Sequence, residues 1–529
     1  MLLGEIVSGN ARRAPDEIAW YFNDETWTWG ETNRRINRAA SALSGLGLQF
    51  QDRVVIVANN SIRLLELVFG LAKMGIVAVP MAARSVWREI DFVLWDVGAK
   101  ACFVDTALTR ALEGAPADLG ALVKLVGMGP GHGLPFDFDE LLARGSEQEP
   151  GKNFSPDAMR TIRYTSGTTG TPKGCIGTHR TVSWSIFWDL AFCPPIGPGD
   201  VGMMPLSVAT GLGLNTLSNF ALKGVPTVIV ERFDPGAMLE QIARHGVTYI
   251  SGVPTMLAML IEEMRVRPRA VPTLRMFGYS SAPVAVSAIR DGLALLGCDF
   301  FQGYGSTETG GRITYLSPED HRRFAAAGEG AGMEDAWGRN VLSAGREAPG
   351  YEIRLVNDAL EPVADGEVGE IMVRGDSTFA GYWNKPEQTA QVMKDGWLLT
   401  GDMALRTRHG YYYIVDRKRD MIVSGGYNVY SVEVETVLLS HQDLVDAAVF
   451  GVPHPTWGEA VWAVTTPRAG HDPSESALIE HCRRSLSSYK CPKRIILVDS
   501  MPRTSTGKIR KVELREQYRA MAMAAHQAN

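Results

Sequence analysis

The chain has 529 residues, too many for a single hydrophobic core, so two or more domains are expected. Hydrophobic residues make up 45% and charged residues 21%, an ordinary globular mixture, and a net charge of −6 argues against nucleic acid as the main partner. Six scattered cysteines without a CxxC pair fit reduced structural thiols in a cytoplasm.

In chain order, Met1-Leu2-Leu3-Gly4-Glu5 lacks the basic-then-apolar pattern of a leader. Apolar periodicity predicts a helix over 33–46, and a β-branched run predicts a strand over 53–58. A helix over 62–74 and a strand over 76–80 follow. The longest apolar patch, 67–81, contains Lys73, two glycines and Pro80, so it reads as helix into buried strand and not as a membrane span. A strand over 159–164 leads into a polar loop. A second unit repeats the theme: strands at 225–230, 248–252 and 275–279 alternate with helices at 235–245 and 256–265. Such alternation predicts α/β layers with largely parallel sheets, doubly wound. Between about 340 and 415, short strands at 351–356, 369–374 and 411–415 suggest a small β-rich module. The charged run Asp416-Arg417-Lys418-Arg419-Asp420 reads as a solvated turn or a hinge. Beyond it lies a tail of about 110 residues, the size of a small domain.

The polar loop, Tyr164-Thr165-Ser166-Gly167-Thr168-Thr169-Gly170-Thr171-Pro172-Lys173-Gly174, packs three glycines, five aliphatic hydroxyls and a lysine into eleven positions. It has little apolar surface for a core. It suits a polyphosphate, with close backbone approach at glycine, hydroxyl donors and a positive charge. A flexible linker is the alternative, and the spacing is not that of the Walker A loop. Further polar motifs are read as loops after strands: Tyr304-Gly305-Ser306-Thr307-Glu308, Trp397-Leu398-Leu399-Thr400-Gly401-Asp402, and Pro502 to Lys511 with Thr506-Gly507-Lys508 inside it. Each taken alone has a bland reading as a turn or a basic surface loop.

In this order and at these separations, the motifs resemble the adenylate-forming superfamily, which includes acyl-CoA ligases, peptide-synthetase adenylation domains and luciferase. The resemblance runs from Trp29 to Lys511. It implies a large N-terminal domain, 1–418, of two doubly wound α/β subdomains plus a small β-barrel. A mobile α+β domain, 419–529, would follow, pivoting at Arg419. It implies ATP, Mg²⁺ and CoA: an acid becomes an acyl-adenylate with release of pyrophosphate, and a thiol then displaces AMP. Thr165, Ser166, Gly167, Thr168, Thr169, Gly170 and Lys173 match the phosphate loop. Ser280-Ser281-Ala282-Pro283 matches the loop along adenine, usually Gly-Gly-Ala-Pro. Tyr304, with Gly305 and Ser306, would stack on adenine, Thr307 would contact the α-phosphate, and Glu308 would bind Mg²⁺. Asp402 would accept the ribose hydroxyls, Arg417 would contact ribose or phosphate, and Lys508 would bridge the acid and the α-phosphate. Ser424, Gly425 and Gly426 match a segment lining the pantetheine tunnel.

Met204 to Gly211 resembles a stretch usually reading Pro-Leu-Phe-His-x-x-Gly, so Val208, Ala209 and Gly211 are acyl-pocket candidates, with Val208 in place of histidine. Trp184 or Trp188 could compensate in bulk. No aspartate stands in 207–211, which argues against an amino-acid substrate. Arg312 could meet a polar group of the acid, although a surface position is the commoner reading for arginine. No carrier module follows Lys511, so the expected partners are a small carboxylic acid and free CoA, with a stand-alone carrier protein as the alternative acceptor. A luciferase-like oxidase and an inactive nucleotide-binding homologue are the readings from other classes. A cytoplasmic protein with no membrane span is expected, and the oligomeric state, a homodimer among the options, stays open.

Overall fold

A computed structural model describes residues 2–151, 154–165, 172–208, 210–282, 284–327, 343–503 and 509–527. Two wound layers make up its first part. One is a seven-stranded sheet in the order Phe136–Asp137, Lys124–Met128, Ala101–Asp105, Arg53–Val57, Val77–Met81, Met159–Thr165 and Lys173–Thr178. Only its last pair is antiparallel. The other is a nine-stranded sheet whose central strands, from Asp299–Tyr304 through Met276–Ser280, Tyr249–Gly252, Gly202–Met204 and Thr227–Ile229 to Ile18–Phe22, are parallel. One continuous core joins the layers, with Ile56, Leu64 and Val68 packed with Val208, Leu214 and Leu217.

Local chemistry explains the element ends. Ser61 accepts the Leu64 N–H at the start of helix Ile62–Met74, and Gly75, at φ +64°, closes it. Asp234 caps helix Pro235–His245 ahead of a proline in the first turn, and Gly246 ends it in the left-handed region.

The module expected between about 340 and 415 is a five-stranded antiparallel sheet of Tyr351–Val356, Val368–Gly375, Met393–Lys394, Trp397–Arg406 and Tyr412–Arg417. A last sheet, Ile422–Ser424, Tyr427–Val429, Leu444–His454, Gly458–Pro467 and Arg494–Leu497, carries helices Ser431–Leu439, Glu475–Ser485 and Lys511–Gln527. It encloses cores of its own around Val449 and Leu478 and around Phe450 and Trp462.

Two features depart from the sequence reading. The hairpin Ile18–Phe22 with Glu25–Thr28 joins the second sheet, far along the chain, because Trp20 and Trp29 are wholly buried there. The Trp397–Asp402 motif, read as a loop, lies within strand Trp397–Arg406. Gly401 at φ +73° and an irregular register beside Met403 bend that strand without ending it.

Candidate functional site

Thr165, Tyr304 and Arg417 stand at the carboxyl ends of their strands, where open α/β sheets place their ligands, while Lys173 begins a strand and Asp402 lies within one. Thr165 ends its strand directly opposite Lys173, so the two ends of the phosphate-loop motif face each other. Ser166, Gly167, Thr168, Thr169 and Gly170 between them lie outside the described residues. Beside this loop, the Tyr164 hydroxyl donates to Asp96, and burial together with that carboxylate pushes the phenol far up. Lys173 is buried, its Nζ 5.0 Å from the centre of the Tyr382 ring.

Tyr382 then reaches the second motif, its hydroxyl donating to Glu308 Oε1 at 3.0 Å. The Glu308 backbone is held as well, since the Phe379 N–H donates to its carbonyl at 2.9 Å. The Ser306–Gly310 turn closes on itself through Thr309, whose Oγ1 accepts the Ser306 N–H at 2.8 Å. Ser377 Oγ donates to the Thr309 carbonyl at 2.6 Å, and Gly310 sits at φ +71°. A Cβ on Gly310 would fall 2.0 Å from the Ser377 carbonyl oxygen, so only glycine fits this approach.

The third group forms around Asp402, which is 3% exposed. The Tyr304 hydroxyl donates to its Oδ2 at 2.5 Å, and Arg417 Nε lies 2.6 Å from its Oδ1. Asp402 holds the Arg417 guanidinium more firmly protonated than usual, against some desolvation, with Tyr304 and Glu308 adding to the pull. Arg417 thus lies within the field of both carboxylates.

Ser281 is exposed at φ +83°, in the left-handed region, where relatives with glycine pay no steric cost. Ser280 behind it donates to the Gly303 carbonyl at 2.6 Å and ties the adenine-loop candidate to the Tyr304 strand. Pro283 lies outside the described residues, as does Ala209. Val208 is buried, its N–H donating to Asn60 Oδ1 at 2.8 Å, and Gly211 opens helix Gly211–Leu222 under the Thr210 cap. Arg312 is not on the surface. It is 7% exposed, with its Nη1 2.5 Å from Asp189 Oδ2, because a buried guanidinium needs a partner and helix His179–Phe192 supplies one. Trp184 and Trp188 stack on that same helix with ring centres 6.0 Å apart.

Ser424, Gly425 and Gly426 are separate from these groups. Gly425 at φ +61° and Gly426 at φ +82° make a two-residue hairpin turn, anchored by the Gly425 N–H on the Trp457 carbonyl at 2.9 Å. Lys508 lies outside the described residues, and Arg503 and Ile509 on either side of its segment pair as an antiparallel bridge. Arg510 Nη2 lies 3.6 Å from Glu89 of helix Trp87–Val97, the helix that also carries Asp96. The tail therefore meets the first sheet on the side of the phosphate loop.

No cluster of three or more metal-ligating side chains occurs among the described residues. One carboxylate, Glu308, beside a phosphate loop still suits magnesium, which keeps several waters and takes phosphate oxygens as ligands. Sequence reasoning overlooked Tyr382 and Ser377. The aromatic stretch Phe379-Ala380-Gly381-Tyr382-Trp383 was the available signal for Tyr382, since an aromatic run between turns must pack on something.

Comparison with known proteins gives two family models. The model for AMP-binding enzymes matches residues 7–383, and the model for the C-terminal domain of AMP-binding enzymes matches 433–508. A feruloyl-CoA synthase of an Amycolatopsis species is 33% identical over 98% of this chain and 99% of its own. The long-chain-fatty-acid–CoA ligase FadD13 of Mycobacterium tuberculosis is 32% identical over 94% of both chains. Among solved structures, the o-succinylbenzoate CoA synthetase of Bacillus subtilis, in complex with its acyl-adenylate intermediate, superposes with a TM-score of 0.83 at 29% identity. It covers 96% of this chain and 97% of its own.

Proposed function

Because the chain belongs to the AMP-binding enzyme family, we propose that it is an AMP-forming acid–CoA ligase acting on a non-amino carboxylic acid. The observation that carries the reading is the contact of Lys173 with Tyr382 and of Tyr382 with Glu308, beside the group of Tyr304, Asp402 and Arg417.

A carboxylate is a poor acyl donor, since its leaving group would be oxide. Joined to AMP it becomes a mixed anhydride with a good leaving group. In-line attack at the α-phosphorus builds negative charge that the site must offset, so positioning and electrostatics dominate. Thr165 and Lys173, with the loop between them, hold the β- and γ-phosphates and release pyrophosphate. Thr307 contacts the α-phosphate. Magnesium, held by Glu308 and phosphate oxygens, would supply further positive charge. Asp402 orients the ribose through two acceptor oxygens. Tyr304 packs along the base with Ser281. Lys508 brings a compact charge to the acid and the α-phosphate. We read residues 1–418 as the domain that builds this cleft and 419–529 as the domain that carries Lys508. Rotation of the latter about Arg419 would then present Ser424–Gly426 to the pantetheine arm of CoA.

The test is acid-dependent pyrophosphate release, followed by thioester formation with CoA or with a pantetheinylated carrier. A panel of ferulate, indole-3-acetate, 2-succinylbenzoate, benzoate and palmitate serves as substrate. Pyrophosphate release with at least one acid and thioester on CoA are expected. Thioester on the carrier alone would make the acceptor a protein, and no ATP consumption with any acid would remove the reading. Lys508→Ala should slow adenylation strongly while thioester formation from supplied acyl-adenylate changes much less.

A further inference from the structure

Two arginines of strand Met159–Thr165, Arg160 buried and Arg163 half-buried, have no hydrogen-bond partner among the described residues. Arg160 is 4% exposed, and its Nε meets no hydrogen-bond acceptor. Arg163 Nε is likewise buried and unpartnered, and the guanidinium makes no hydrogen bond or ion pair with any described residue. Arg163 senses Glu308 and Cys175 only from a distance, and burial works against its charge. Arg312, more deeply buried, is by contrast paired with Asp189. An interior guanidinium with no counter-charge is costly in the ligand-free protein. It is tolerable where a ligand brings the negative charge.

Arg163 lies where such a ligand would be. It lines a cavity with Val208, Thr210 and Arg160, and a second one with Thr307 and Gly310. Its side chain therefore lies between the acyl-pocket stretch and the residue read as contacting the α-phosphate. Gly211 makes room for it: a Cβ there would fall 1.8 Å from Arg163 Nη1. Val208 offers this cavity no polar group, and Arg163 supplies one from strand Met159–Thr165 of the first sheet.

We propose that Arg163 binds the reacting carboxylate of the acid, pairing with it beside Thr307 and holding it for attack on the α-phosphorus. The proposal rests on the adenylation reading above and adds to it a residue that recognises the acid. A planar guanidinium with two parallel N–H donors matches a carboxylate, and such charge-assisted pairs are directional as well as strong. No new bond is needed beyond the established step: the carboxylate oxygen attacks phosphorus, pyrophosphate leaves, and Arg163 keeps its protons.

The test compares wild type with Arg163→Met and Arg163→Lys in acid-dependent pyrophosphate exchange, which needs no acceptor. The probe is the acid of the panel that wild type turns over fastest. Arg163→Met should raise KM for the acid by about tenfold or more while KM for ATP stays within about twofold, and Arg163→Lys, which keeps the charge but not the two parallel donors, should recover only part of the loss. Thermal unfolding without ligand provides the second readout. Removing an unpaired interior charge should leave the Met variant at least as stable as wild type. An acid KM unchanged in Arg163→Met, or acid and ATP KM rising together, would overturn the proposal. So would a lowered ligand-free melting temperature, which would make Arg163 a structural residue. If wild type exchanges pyrophosphate with no acid, the adenylation reading has failed, and the ligand-free unfolding still decides whether Arg163 is structural.

Discussion

Acidification should unfold this protein through two buried histidines. His179 is 1% exposed at the start of the helix carrying Trp184, Trp188 and Asp189. Neither ring nitrogen has a hydrogen-bond partner among the described residues. Burial, with Arg160 nearby, pushes it from 6.5 down to about 3. His321 is fully buried under the strand ending in Tyr304. Its Nδ1 donates to the Ser317 carbonyl at 2.7 Å, so Nε2 accepts from the Tyr279 hydroxyl at 2.9 Å and the ring is neutral. Burial brings it from 6.5 to about 4. Both folded values lie below the unfolded one, so their contribution to stability is complete above about pH 6.5 and is lost as pH falls through 6.5 toward the folded values. At pH 5 the unfolded chain has protonated both rings and the native protein neither. The loss from neutral pH is then about 2 kcal/mol for each, or about 4 kcal/mol together. Urea unfolding followed by tryptophan fluorescence at pH 7.5 and pH 5 should show this fall, over and above what carboxylates contribute. Uptake of almost two protons by these rings on unfolding near pH 5.5 should accompany it. His179→Gln and His321→Gln should each remove about half of the histidine part. If neither substitution flattens the pH slope, burial does not hold these rings neutral and the reasoning fails.

Three substitutions test the site. Asp402→Asn removes the charge that pairs with Arg417 and accepts from Tyr304. It should raise KM for ATP about tenfold or more with little change for the acid, measured by pyrophosphate release. Tyr382→Phe deletes the hydroxyl on Glu308. It should lower the adenylation rate about tenfold and weaken the magnesium dependence, while the melting temperature moves little. Gly310→Ala combines a left-handed backbone with the 2.0 Å approach to Ser377. A destabilisation of about 3 kcal/mol or more is expected in denaturant unfolding, and a near-neutral result would mean the Ser306–Gly310 turn is looser than described.

What the sequence revealed depended on how local the deciding interactions are. Helices Ile62–Met74 and Pro235–His245 end where expected, because Ser61, Gly75, Asp234 and Gly246 act within a turn of their own positions. Strand Tyr351–Val356 was equally readable from its alternating buried and exposed residues. The hairpin at 18–28 was not, since its partner strand, Thr227–Ile229, is some 200 positions away and only the burial of Trp20 explains the pairing. The site divides in the same way. Tyr304 to Glu308 and Asp402 stand out as compact polar motifs, but the residues that position them come from elsewhere. Tyr382 lies 74 residues beyond Glu308, and Asp96 lies 68 before Tyr164. Arg312 was misjudged for the same reason: nothing near it in sequence announces Asp189, 123 residues earlier.

The charged run that was read as either turn or hinge does more than either word conveys. Its first two residues end strand Tyr412–Arg417, and strand alternation sends their side chains opposite ways. Arg417 goes to Asp402 in the candidate site, whereas Asp416 accepts from Ser431 Oγ at 2.8 Å at the head of the tail's first helix. Burial raises Asp416, offset in part by the charge of Lys511, which is itself 2.6 Å from Glu435 and 2.7 Å from Ser431 Oγ. Lys418 turns back to Glu370 at 2.9 Å and Asp358 at 2.7 Å, while Asp420 lies 3.9 Å from Arg515 of the last helix. Attachments to the two parts thus interleave along this run, with the proposed pivot, Arg419, between Lys418 on its sheet and Asp420 beside the last helix. Under the proposed rotation about Arg419, Asp416 would part from Ser431 and Arg510 from Glu89, while Lys418 could stay on its sheet and Lys511 on Glu435. The Arg510–Glu89 pair is solvent-exposed and contributes at most about 1 kcal/mol. The buried Asp416–Ser431 contact would therefore restrain such a swing more firmly than Arg510–Glu89 does. Because Asp416 and Arg417 are consecutive, whatever draws Arg417 toward a bound nucleotide also pulls on that restraint.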